Sequence, residues 1–181
     1  MPASGKTILL LGGARSGKST LAQELAGQMG NKVLFIATGE PLDEEMKTRI
    51  EEHKKSRPKN WKTLEAPQNI GKALRAHIGD AEVIIIDCLT LLVSNLLKNE
   101  TAYPEAEKQV LSEINELISI MKVSPAHFII VSNEVGLGLV PDNNLGRVYR
   151  DLLGKANQLI AQYADTVYFM AAGIPLKLKS A

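Results

Sequence analysis

The residues whose types and spacing most directly specify chemistry are Gly12-Gly13-Ala14-Arg15-Ser16-Gly17-Lys18-Ser19, which satisfy G-x-x-x-x-G-K-[ST] at every fixed position. Gly12 and Gly17 permit a tight path that turns successive backbone N–H groups toward phosphate, and the positive end of the following helix adds to the attraction. Lys18 is placed to reach the β and γ phosphates, and the Ser19 hydroxyl to ligate a Mg²⁺ that bridges them. A nucleoside triphosphate is therefore the expected ligand.

A second group is the carboxylate of Asp87, which ends the apolar run Val83-Ile84-Ile85-Ile86. Taken alone, an acid in that place more often caps the next helix. Beside a phosphate loop, an acid at the carboxyl end of a neighbouring strand holds Mg²⁺ directly or through water, and the loop tips Asp87 toward that role.

A third group lies between Met46 and Pro58. Met46, Ile50 and His53 stand at i, i+4 and i+7, so one helix face carries all three and His53 points inward with the others. A lone histidine on an apolar face is more often a satisfied core residue than a catalyst. Yet Lys54, Lys55 and Arg57 crowd the same corner, and a neutral imidazole near cations that hold phosphates can act as a nucleophile. Spacing alone leaves both roles open. The fourth group, Ser132-Asn133-Glu134-Val135-Gly136-Leu137-Gly138-Leu139-Val140-Pro141, suits a loop facing substrate or another subunit, and composition fits a plain turn nearly as well.

The elements that must position these groups read as an α/β fold. Apolar runs of strand length occur at Thr7 to Leu11, Val33 to Ala37, Val83 to Asp87, Phe128 to Ser132 and Thr166 to Ala171. Helical spacing occupies Lys18 to Met29, Leu42 to Lys55, Gln68 to His77, Pro104 to Met121 and Asn144 to Tyr163. This alternation predicts a mostly parallel sheet flanked by helices. The tail Ile174 to Lys179 alternates apolar and basic residues around a proline and predicts an exposed edge strand. With 181 residues, no internal repeat and no Gly/Ser-rich linker, residues 1–181 are expected to form one domain.

Lysine and arginine number 21 against 20 acidic residues, a net charge of +1 that lacks the broad positive field of non-specific nucleic-acid binding. One cysteine, Cys88, beside an apolar run fits a reducing, cytoplasmic compartment, and it is expected to be buried and inert. No apolar stretch reaches the roughly 20 residues of a membrane helix, and the start Met-Pro-Ala-Ser-Gly-Lys does not read as a cleavable signal. His77 and His127 are expected at the surface or at a strand end.

These blocks together resemble one family, the bifunctional adenosylcobinamide kinases and adenosylcobinamide-phosphate guanylyltransferases of cobalamin biosynthesis. The resemblance runs through the phosphate loop, Ile36-Ala37-Thr38, Arg49-Ile50-x-x-His53-Lys54-x-x-Arg57-Pro58 with Trp61, and Glu65. It continues through Asp87-Cys88-Leu89-Thr90, Asn95-Leu96-Leu97, Asn133-Glu134-Val135-Gly136 to Val140-Pro141, and Gly173-Ile174-Pro175. It implies a phosphate-loop NTPase fold of RecA-like type, a trimer, and two reactions. The first phosphorylates the hydroxyl of adenosylcobinamide with ATP or GTP; the second transfers GMP from GTP to that phosphate through a guanylylated histidine, which here matches His53. Nucleotide contacts are implied for the phosphate loop, Ala37, Thr38, Gly39, Lys54, Lys55, Ser56, Arg57, Glu65 and Asp87. Some members carry a second histidine just before the modified one; here that position is Glu52. A phosphate-loop kinase of another small molecule, or a non-catalytic nucleotide switch, would explain the loop and Asp87 but not the histidine block.

Overall fold

Strand and helix alternate along most of the chain because apolar runs long enough for a buried strand are separated by stretches of helical period. The computed structural model describes residues 5–97 and 102–180. The first four residues of the chain, on which the absence of a cleavable signal was read, lie outside the described residues, as does the Arg49 side chain. In chain order the elements are β1 (Thr7–Gly12), α1 (Lys18–Met29), β2 (Val33–Ala37), α2 (Glu44–Ser56), β3 (Lys62–Glu65), α3 (Ile70–His77), β4 (Val83–Asp87), α4 (Leu89–Leu96), α5 (Tyr103–Val123), β5 (His127–Val131), α6 (Asn144–Tyr163), β6 (Thr166–Ala171) and β7 (Ile174–Lys179).

One seven-stranded sheet has the order β3-β2-β4-β5-β1-β6-β7. The first six strands are mutually parallel, and β7 pairs antiparallel with β6 at the edge, exposed along its whole length. Successive residues of a strand point to opposite faces, and both faces are apolar here. Leu9, Leu34, Ile36, Ile84, Ile86, Phe128 and Ile130 pack with α3, α4, α5 and α6 on one side. Ile8, Leu10, Val33, Phe35, Val83, Ile85, Ile129 and Val131 pack with Ala22 and Ala26 of α1 on the other. Each such buried side chain contributes about 1.5–3 kcal/mol of transfer free energy. The sheet is thus a rigid base for the loops at its carboxyl edge.

Two elements were not foreseen. Strand β3 is four residues long and mostly exposed, so it lacks an apolar run; what makes it a strand is pairing with β2, which sets Glu65 beside Ala37. Helix α4 buries Leu89, Thr90, Leu92, Val93 and Asn95 and exposes Ser94; a short, mostly apolar segment of this kind follows directly on β4 and is hard to tell from a continuing apolar run. Helix α2 starts later than its spacing suggests because the Asp43 side chain caps it, accepting from the Met46 N–H at 2.7 Å.

Candidate active site

Loops following β1, β2, β3, β4 and β5 converge on one open cleft of about 670 Å³, the crevice expected at the carboxyl edge of a parallel sheet. Arg15, Ser16, Gly17, Lys18, Ser19, Ala37, Gly39, His53, Arg57, Glu65 and Asp87 all line it. The cleft therefore gathers, within one space, the loop, the strand-end acid and the histidine, which the sequence spreads over 70-odd positions.

At Gly12 and Gly17 the phosphate loop has positive φ, backbone that glycine tolerates best. Gly17 sits at φ 94°, and a Cβ there would lie 3.3 Å from the Gly173 Cα in the β6–β7 turn. That turn braces the loop, with the Gly173 N–H donating to the Ser16 carbonyl at 3.1 Å. Lys18 is buried, and its Nζ donates to the Gly12 and Gly13 carbonyls at 3.1 and 2.6 Å. Its ammonium is thus folded back into the loop, poised to exchange carbonyl partners for phosphate oxygens. Gly12, Gly13 and Ala14 supply this curve rather than the cleft wall.

Ser19 Oγ donates to Asp87 Oδ2 at 2.8 Å, which joins the first turn of α1 to the end of β4. A hydroxyl and a carboxylate at that separation fit Mg²⁺, which binds through one or two protein oxygens plus phosphates and waters. No group of three or more His, Cys, Asp or Glu side chains placed to hold a metal ion occurs among the described residues.

The inward face of α2, whose neighbour the spacing leaves open, turns toward the cleft. Met46, Ile50 and His53 are half-buried and line the cleft, not the core, and no described side chain of α2 is fully buried. Beyond the helix, the Arg57 guanidinium stacks 3.7 Å from the Phe35 ring centroid. Its Nε and Nη1 are buried with no hydrogen-bond partner among the described residues. Burial pulls its pKa down from the ordinary arginine value, against the opposing pull of the Asp87 and Glu65 carboxylates. A cation so placed beside a cleft is matched to an anionic ligand. Lys54 pairs with Glu65, whereas Lys54, Lys55 and Ser56 are exposed and stand outside the cleft wall.

Thr38 is fully buried and does not line the cleft, although its neighbours Ala37 and Gly39 do. Cys88 is buried as expected; desolvation, then the Asp87 charge, pushes its thiol up to about 11. His77 is exposed at the end of α3, and His127 opens β5, where its Nδ1 accepts from the Lys6 N–H at 2.9 Å. In the loop after β5, Asn133 lines the cleft and its N–H donates to Thr90 Oγ1 at 2.8 Å. Leu137, Leu139 and Val140 further along are 80, 96 and 67 % exposed, so this loop faces outward beyond its base. Thr20, Glu45, Thr48 and Leu91 also line the cleft, and nothing in their sequence context marks them.

A phosphate-cradling loop between a strand and a helix, with an acid at the end of a parallel strand, defines a phosphate-loop nucleotide-binding protein of the NTPase type. Comparison with known proteins narrows the class. Residues 8–178 match the family described as cobinamide kinase / cobinamide phosphate guanyltransferase, and the chain belongs to that family of bifunctional transferases. It is 41% identical over 180 residues to the bifunctional adenosylcobalamin biosynthesis protein CobU of Escherichia coli, covering 95% of this chain and 99% of that one. The protein of the same name from Salmonella typhimurium is 39% identical over the same shares. The bifunctional adenosylcobalamin biosynthesis protein CobP of Pseudomonas aeruginosa is 43% identical over 173 residues, 94% of this chain and 96% of that one. The family match removes the two rival readings, a kinase of some unrelated small molecule and a non-catalytic switch. No helix among the described residues is long and apolar enough to cross a membrane.

Proposed function

We propose that this cleft phosphorylates adenosylcobinamide with ATP or GTP and then transfers GMP from GTP to the product through His53, yielding adenosylcobinamide-GDP. The observation that carries this is the presence of His53 on the wall of the same cleft as Lys18, Ser19 and Asp87.

In the guanylyl transfer, an imidazole nitrogen of His53 attacks the α-phosphorus of GTP. The bond to the bridging oxygen breaks, and pyrophosphate leaves with that electron pair. An oxygen of the substrate phosphate then attacks the same phosphorus, the P–N bond breaks, and the imidazole is regenerated. Lys18 and the loop amides, Gly12 to Ser19, hold the departing charge, and Arg57, which lines the same cleft, supplies a second cation. Ala37, Gly39 and Glu65 line the cleft where they can face the nucleotide, and Glu65 pairs with Lys54 outside the cleft wall. A Mg²⁺ held by Ser19 and Asp87 would neutralise phosphate charge. In the kinase step the substrate hydroxyl oxygen bonds to the γ-phosphorus instead, and the bond to the β–γ bridging oxygen breaks. The nucleoside diphosphate leaves with that electron pair, and the hydroxyl proton passes to solvent; this needs positioning and charge neutralisation but no covalent residue.

A homotrimer in the cytoplasm completes the proposal, supported by the family resemblance and by the exposed apolar side chains Leu137, Leu139, Ile174 and Leu176. The test uses GTP labelled at the α-phosphate. Wild-type protein should take up an acid-labile label, and His53→Ala should not, while still phosphorylating cobinamide. Normal labelling of His53→Ala would refute the assignment.

A further inference from the structure

Thr38 belongs to a segment expected to contact nucleotide, yet its side chain is engaged elsewhere. Its hydroxyl donates to the Cys88 carbonyl at 2.8 Å and accepts from the Cys88 N–H at 2.7 Å. Its own N–H donates to the Asp87 carbonyl at 3.1 Å. Three bonds therefore fasten the backbone of Asp87 and Cys88 to one buried threonine. A hydroxyl offers one proton and two lone pairs, and here the proton and one lone pair serve the two main-chain groups of a single residue.

Thr38 is itself held from behind. The Asn95 carboxamide, 4 % exposed on α4, donates through Nδ2 to the Thr38 carbonyl at 2.8 Å and to the Pro67 carbonyl at 3.0 Å. Gln68 Nε2 donates to the Asn95 carbonyl at 2.7 Å. Asn95 thus ties together the segments that follow β2 and β3, and through Thr38 the one that follows β4. On the other side the Asp87 carboxylate accepts from Ser19. Buried polar groups in such a network are satisfied only in one arrangement, so the network specifies a position.

We infer that Thr38 is a positioning residue, with Asn95 as its brace: the hydroxyl does not touch nucleotide but fixes the Asp87 carboxylate opposite Ser19, where the two hold a divalent cation. This rests on the proposed metal role of Ser19 and Asp87. Thr38→Val keeps shape and removes both hydroxyl bonds, whereas Thr38→Ser keeps both.

The experiment titrates Mn²⁺ into the full chain loaded with a non-hydrolysable GTP analogue, reading free Mn²⁺ by electron paramagnetic resonance, and separately measures analogue affinity in EDTA. Thr38→Val is expected to weaken Mn²⁺ binding tenfold or more with metal-free analogue affinity within twofold of wild type, and Thr38→Ser to recover Mn²⁺ affinity to within threefold. Wild-type Mn²⁺ affinity in Thr38→Val overturns the inference. So does an equal fall in metal-free analogue affinity, which would make Thr38 a nucleotide contact. Should Thr38→Val fail to fold, Asn95→Ala is judged by the same two measurements. Asp87→Asn is the control for the metal role: wild-type Mn²⁺ binding there sinks that role and this inference with it. Label uptake by His53 reports on guanylyl transfer independently.

Discussion

Ser19 Oγ and Asp87 Oδ2 are 2.8 Å apart although 68 positions separate them in the chain, and the contact spans from α1 to the end of β4. The hydroxyl offers the carboxylate a proton. Under the proposed metal role a divalent cation would take over that place with a full charge, and the two oxygens would supply half of a site completed by nucleotide phosphates. Asp87→Asn preserves shape and removes the charge. Both the kinase and the guanylyltransferase rates are expected to fall on the order of 10²-fold, with the Mg²⁺ concentration for half-maximal rate rising. An unchanged Mg²⁺ dependence in steady-state assays would count against Asp87 as the metal acid.

In the proposed mechanism Lys18 serves both reactions, because the same phosphates must be held whichever phosphorus is attacked. Its Nζ already lies 2.6 Å from the Gly13 carbonyl, inside the loop. Lys18→Ala is expected to lower both rates by about 10²–10³-fold. Survival of either rate would separate the two sites. Paired assays on one preparation decide it.

Arg57 carries the opposite balance of stability and function. Its Nε and Nη1 are buried without a hydrogen-bond partner among the described residues, and its guanidinium stacks on Phe35. Arg57→Met retains much of the apolar contact and removes the unsatisfied donors. Thermal stability without nucleotide is expected to rise by about 1 kcal/mol, while GTP affinity falls tenfold or more. Calorimetric melting and equilibrium binding on the same variant test both halves. A destabilised variant with full GTP affinity would show that the guanidinium is structural.

The sequence made the sheet legible where strands are buried on both faces, as in Val83 to Asp87, since such runs have few alternatives. Edge strand β7 was also legible, from Pro175 and the alternation around it. Strand β3 was not, because Lys62 to Glu65 owes its conformation to pairing with β2 and carries no pattern of its own. In the site, the phosphate loop is local and could be read directly. His53 was ambiguous because helical spacing places it beside Met46 and Ile50 without saying whether core or cleft lies opposite. The tertiary bonding of Thr38 was beyond reach, since the partners Asp87, Cys88 and Asn95 are 49, 50 and 57 positions away. Local motifs name a ligand class, whereas the groups that hold them in place are bonded across the sheet.

Cys88 provides a pH signature of the fold. Burial raises its thiol to about 11, whereas an unfolded chain ionises a thiol near 8.5. Between these values the unfolded state releases a proton that the folded state keeps, so the unfolded state binds fewer protons and stability falls as pH rises. The contribution is intact below about pH 8 and declines by on the order of 2 kcal/mol by pH 10. Tyr149, pushed up by burial to about 12, gives a similar slope only at higher pH, because its phenol ionises near 10 when unfolded. Denaturant midpoints measured at intervals from pH 7 to 10 should therefore drop in the wild type and stay flatter in Cys88→Ala, which removes the titrating group and leaves the backbone bonds to Thr38 available. Equal slopes in the two proteins would mean that the thiol ionises freely in the folded state, and with it that the wall beside Asp87 admits water.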